Sequence, residues 1–124
     1  KLDYAAIGNV KTIGDNAFNG CTILERVVWS KYIKTIGTNA FKNTKVEDVV
    51  LPETLTSIGD GAFYGCSNMY EVVLNGNTPP TLSSDSHAFD GSTCPIYVPS
   101  SAVDTYKTAT GWDKYASRIM PINS

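Results

Sequence analysis

The sequence predicts a solenoid of parallel β-strands joined by short helical turns, with about four repeats and a helical C-terminal cap. Three observations lead there. A Gly-x-x-Ala-Phe motif recurs at near-constant spacing. Each copy is followed by a block that reads apolar-x-x-apolar-x-apolar and ends in strand-like alternation. No single unit can bury its apolar face alone, so the units must stack.

The segments Val10–Cys21, Ile33–Thr44 and Leu55–Cys66 align. Phe18, Phe41 and Phe63 step by 23 and then 22 residues, and Gly14, Gly37 and Gly59 step identically. A looser copy, His87–Gly91, places Phe89 26 residues after Phe63. The following blocks are Leu24–Trp29, Val46–Leu51 and Met69–Leu74, and Pro95–Val98 continues the series. Each unit of 22 to 26 residues then makes one turn, and its Val-x-Leu strand pairs with those of its neighbours. The glycines turn a corner that a side chain would obstruct. Asp15, Thr38 and Asp60 are placed to N-cap a single helical turn carrying Ala-Phe. Ala17, Ala40 and Ala62 are small where backbones approach, and Phe18, Phe41, Phe63 and Phe89 stack as an internal spine.

Leu55–Cys66 and Val46–Pro52 resemble the BspA-like, bacterial surface-antigen type of leucine-rich repeat. The family's hallmark is Leu-x-x-Ile-Gly-x-x-Ala-Phe, a Cys-like position, and then Leu-x-x-Val-x-Leu-Pro. The resemblance spans roughly residues 7 to 99 and makes the expected fold a leucine-rich-repeat solenoid. Ser30-Lys31 replaces the Pro52-Glu53 junction, and Thr44 replaces Cys. Thr78–Ser86 stands where Ile-Gly would, so that corner must differ. The tail also resembles the family's C-terminal end. Ser100 or Ser101 can cap a short helix to about Ala109, Gly111 releases it, and Tyr106, Trp112 and Ile119 suit closure of the last rung. The expected division is therefore 1–99 repeats and 100–124 cap. At the opposite end only Leu2, Tyr4 and Ile7 offer partial cover, and the start at Lys1 inside a repeat suggests a processed or trimmed chain.

Composition narrows the function. Of 124 residues 42% are hydrophobic and 18% charged, which argues for a packed core and against disorder. Net charge is −2 with scattered basic residues, so nucleic acid and anionic membrane are disfavoured as partners. No apolar stretch approaches the ~18 residues of a membrane span, so direct insertion of this segment is not expected.

Catalytic chemistry is thin. His87, with Asp85 or Asp90, is the single available histidine for a triad or metal site, yet it holds a variable loop position and no nucleophile elbow is present. No carboxylate pairing suggests glycoside hydrolysis, and the glycines serve corners rather than phosphates. No catalytic residue, cofactor or metal is therefore assigned. Cys21 and Cys66 hold one repeat position two rungs apart, about 10 Å at a 4.8 Å spacing, beyond the reach of a disulfide. Cys94 is off-phase, and a Cys66–Cys94 bridge stays open as an alternative.

Alternation sends two strand columns outward. Arg26, Asp48, Glu71 and Pro95 form a mixed-charge column, and Val28, Val50, Val73 and Tyr97 form an apolar one. The apolar column is the candidate ligand-binding face, although β-branched residues also favour strands for packing alone. Exposed Tyr32, Tyr64 and Tyr70 suit sugar stacking without an obvious platform. The resemblance implies a non-enzymatic adhesion or binding module of a bacterial cell-surface or secreted protein, with a host or cell-surface protein as ligand. A glycan ligand and a purely structural spacer are the alternatives.

Overall fold

The computed structural model describes residues 4–122 and is a stack of chain turns with a strand on each. The strands are β1 (Tyr4–Ala6), β2 (Thr12–Ile13), β3 (Arg26–Val28), β4 (Thr35–Ile36), β5 (Asp48–Leu51), β6 (Ser57–Ile58), β7 (Glu71–Leu74), β8 (Ile96–Val98) and β9 (Ile119–Pro121). All pairs are parallel, in sheets ordered β1-β3, β2-β4-β6 and β5-β7-β8-β9. The register pairs equivalent repeat positions, such as Val49 with Val72 and Ile36 with Ile58. The strand β1 was not foreseen. Of the expected N-terminal cover, Ile7 packs partly against the core, while Leu2 and the Tyr4 side chain lie outside the described residues.

The Ala-Phe segments are successive tight turns, with no helix on any of these rungs. The expected helical turns are single hydrogen-bonded turns rather than helix, and the N-cap role expected of Asp15 and Asp60 is corrected. Asp15 Oδ1 accepts from the Thr38 N–H at 2.9 Å, and Asp60 Oδ1 from the His87 N–H at 2.7 Å. Each carboxylate serves the next rung instead of its own turn. Asn16, Asn39 and Gly61 hold equivalent positions and all have positive φ, which ends any helical run at that point.

The corner glycines answer to crowding rather than to a left-handed backbone. A Cβ on Gly37 would sit 2.5 Å from the Asp15 backbone nitrogen, and one on Gly59 would collide with the backbone of Thr38 and Gly37. At Gly14 nothing lies within 4 Å. In the looser fourth turn, Thr81 bridges to Ser57 and buried Leu82 follows it, so the corner forms without the Ile-Gly pair.

Inside, the spine forms as expected. Phe18, Phe41, Phe63 and Phe89 stack with centroid distances of 5.1, 5.3 and 5.6 Å. The last three are fully buried, whereas Phe18 is only partly covered. After β8 come a 3-10 turn (Ser100–Ala102), helix α1 (Val103–Thr108) and a 3-10 helix (Asp113–Arg118), which lead into β9. The expected serine cap is absent: Ala102 precedes α1 and no side chain caps it. Tyr106, Trp112 and Ile119 are buried, and Trp112 and Tyr115 pack on Phe89 at 5.7 and 5.6 Å.

Two expectations follow. Phe41→Ala should cost about 3–5 kcal/mol in urea unfolding, since Phe41 is buried between two rings. A loss under 1 kcal/mol would contradict the stacked spine. Gly59→Ala should destabilise by about 1–3 kcal/mol, as overpacking does, while Gly14→Ala melts within a degree or two of the parent. Equal melting temperatures for the two variants would show that the rungs do not approach as described.

Candidate functional site

The outward strand positions form a row whose register is set by backbone pairing. Val50 pairs with Val73, Val73 with Tyr97, and Tyr97 with Met120. On the first sheet Ala6 pairs with Val28. Val28, Val50 and Met120 are 49%, 38% and 47% exposed, and Val73 and Tyr97 are partly covered. Sequence reasoning stopped at Tyr97, because the closing segment shows no Val-x-Leu block. Met120 becomes legible only once Ile119 is seen to pair with Ile96.

The rungs of β3 and β5 stay joined just before the strands, where the Lys45 and Glu47 N–H groups donate to the Leu24 and Glu25 carbonyls at 2.9 and 3.1 Å, but the ladder lapses beyond that point. No strand ladder joins β3 to β5 among the described residues, so Val28 belongs to one sheet and Val50 to another. Trp29 stands at the position of Leu51 and Leu74, and its ring packs against both Phe41 and Phe63, at 5.2 and 6.1 Å. Its buried indole N–H has no hydrogen-bond partner. At this seam Trp29, Ser30, Lys31, Val50, Pro52 and Asn75 line a groove of about 290 Å³. A second depression of about 260 Å³, lined by Glu71, Val73, Tyr97 and Ile122, lies at the other end of the row.

A larger depression, about 590 Å³, lies elsewhere and was not foreseen. It runs along β2, β4 and β6 beside Thr12, Thr35, Ser57 and Thr81, over the glycine corners. Its carboxylates, Asp15 and Asp60, already bond the next rung's backbone.

The other candidates resolve simply. Exposed His87 meets Asp60, at 3.3 Å, and neither Asp85 nor Asp90 as the sequence suggested. Among the described residues no serine or cysteine hydrogen-bonds its ring. Asp90 instead accepts from Lys114 at 2.9 Å and from Tyr115 at 2.8 Å. Burial alone would raise the Asp90 carboxyl, but these two hydrogen bonds, with the charges of Lys114 and His87, hold it below the usual range.

Matching the sequence against families decides the relationship: residues 2–105 fit the BspA type leucine rich repeat region, in six copies. The chain belongs to that family. The BspA-type repeats of bacteria are typically surface-associated or secreted, and generally serve as non-catalytic scaffolds for protein interaction. Among solved structures, a leucine-rich repeat protein from Bacteroides ovatus superposes with a TM-score of 0.66 at 22% identity, over 99% of this chain. That likeness is one of fold. The chain spans 31% of the length of the Bacteroides protein. No curated protein matches this chain.

All three cysteines are unpaired. Cys66 donates to the Phe41 carbonyl at 3.1 Å and lies 3.4 Å from the Thr44 hydroxyl. Ser92, three residues after Phe89, takes the equivalent place on the last repeat, which explains the off-phase Cys94. Burial pushes the Cys66 thiol up. A thiol titration should therefore count three groups in denaturant. In the native protein the partly covered Cys21 should react first and Cys66 last. A count of one would mean a disulfide.

Proposed function

We propose that this chain is a non-enzymatic binding and adhesion module of a bacterial cell-surface or secreted protein. It recognises a host or cell-surface protein through Val28, Val50, Val73 and Tyr97. Residues 1–99 supply the binding repeats and residues 100–124 cap them. The observation that carries this reading is the hydrogen-bonded row Val50–Val73–Tyr97, extended to Met120, on an outer sheet face. Apolar side chains in line on an exposed face favour a partner that covers them.

A glycan ligand has less support. Tyr32 follows β3, Tyr64 lies in a turn of the Ala-Phe segment, and Tyr70 precedes β7. These are three different places on the rung, so they build no common stacking platform. A spacer role would leave strand packing alone to account for the apolar row.

The test is a triple variant, Val50→Ser, Val73→Ser and Tyr97→Ala, in binding panels of host proteins and glycans. All three side chains point outward, so the circular dichroism spectrum should be retained while protein binding falls at least tenfold. Tyr97 should contribute most, as aromatic residues dominate binding hot spots. Unchanged affinity in the folded variant would remove the row from consideration. Binding to glycans alone would favour the alternative ligand, and no binding to either panel would favour a spacer.

A further inference from the structure

We propose that the strand face receives an extended, arginine- or lysine-bearing segment of a partner protein. Its basic side chains lie over Asp48 and Glu71, and its apolar side chains lie along Val50, Val73 and Tyr97. The inference rests on the binding role assigned to that face above and adds the chemistry of the partner.

Asp48 and Glu71 are register partners on the paired strands β5 and β7. Their Cα atoms are held at the strand spacing, about 4.8 Å. Like charges directly opposite in a sheet oppose folding. Neither carboxylate has a cation within ion-pair distance, since the ion pairs among the described residues are His87–Asp60 and Lys114–Asp90. Arg26 stands at the equivalent place on the previous rung, beside Asp48, where the Glu47 N–H donates to the Glu25 carbonyl at 3.1 Å, yet its guanidinium forms no ion pair with either carboxylate. Glu47 adds a third carboxylate beside this pair, with the ring of Tyr70 58% exposed among them. Asp48 foremost, then loss of solvent, then Glu71 and Glu47 raise the Tyr70 phenol above its ordinary value, so all three carboxylates lie within reach of one ring. The whole chain carries only −2, so the charge is a property of this corner rather than of the protein at large.

The same corner is continuous with the apolar row. Asp48 precedes Val50 by two residues on β5, and Glu71 precedes Val73 by two on β7, so each pair shares one face. Glu71, Val73 and Tyr97 line a single depression. Two residues of extended chain advance about 6.6 Å, in a strand or in a bound peptide alike. A segment reading basic-x-apolar, laid along the strand direction, therefore meets carboxylate and valine together. Asp48 and Glu71 are partly buried already, which strengthens their pull on a cation by limiting solvent screening. An acidic segment is repelled here, and a neutral glycan leaves the carboxylate pair unanswered.

The test uses end-blocked fluorescent peptides of alternating arginine and valine, alternating glutamate and valine, and alternating arginine and serine. Anisotropy is read against the 124-residue chain at low and moderate salt. The arginine-valine peptide should bind at least tenfold tighter than either of the others, and should weaken as salt rises. Asp48→Asn with Glu71→Gln, nearly isosteric and outward-facing, should keep the fold, lose tenfold or more in affinity and flatten the salt dependence. Asp104→Asn with Asp113→Asn, in the C-terminal helices, should change nothing. Bound peptide should also lower the Tyr70 titration, followed by carbon-13 tyrosine signals with Tyr70→Phe for assignment. Equal affinity for the glutamate or serine peptide, or undiminished binding by the Asp48/Glu71 variant, would overturn the proposal. If that variant binds normally while the Val50/Val73/Tyr97 variant does not, the basic preference falls and the strand face stands. If both bind normally, both readings fall.

Discussion

The hydrogen bond from each spine phenylalanine to the rung ahead of it governs the rest of the structure. The N–H groups of Phe18, Phe41 and Phe63 donate to the carbonyls of Ala40, Ala62 and Ala88 at 2.7 to 2.8 Å. Neighbouring N–H groups at Asn16, Gly20, Asn39, Asn43 and Gly65 follow the same direction. Backbones so tied must approach closely, which is why the accepting residues are alanines with no exposed surface. The ring stack follows from that backbone stack: Phe41 and Phe63 lie within 3° of parallel because their backbones repeat one geometry. A buried backbone donor without a partner is costly, so the turns hold one another in register as firmly as the strands do.

A stack with this polarity needs a different ending from its interior. Phe89 has no alanine ahead of it, and its N–H donates to the Tyr115 hydroxyl at 3.1 Å. The same hydroxyl donates to Asp90, completing the substitution of a side chain for a missing rung. Arg118 meets the carbonyls of Phe89 and Cys94, and Trp112 donates to the Pro80 carbonyl. Tyr106 does likewise to Gly76, and burial pushes its phenol up to about 12. The closing segment thus joins apolar cover from Trp112 and Ile119 to polar groups aimed at the last turn's backbone.

The repeat made the fold legible because one pattern recurs at glycine, alanine, phenylalanine and strand positions together. It was less informative wherever a residue acts on a neighbouring rung. Asp15 reads as a helix cap when only its own turn is considered, and is an inter-rung acceptor when the next turn is present. The seam at Trp29 was hidden for a similar reason: an apolar residue at an inward position fits the pattern, and only its size and its reach to Phe63 set it apart. The binding row was visible from alternation up to Tyr97. Met120 lies beyond the last recognisable motif and joins through pairing alone. The Asp48–Glu71 opposition was present in the sequence as one mixed-charge column, and only the structure shows that Arg26, on the neighbouring rung, leaves both carboxylates without an ion pair.

The carboxylates at the glycine corners have a consequence for how such an array can grow. Asp15 and Asp60 bracket Thr38, a neutral residue on the intervening rung. Two rungs set the acids about 10 Å apart, close to the Debye length in physiological salt, so their mutual repulsion is largely screened. Tandem duplication of a single aspartate-bearing unit would instead place a negative charge on every rung at half that distance. The Asp-Thr-Asp alternation makes two turns, rather than one, the electrostatic period of this corner.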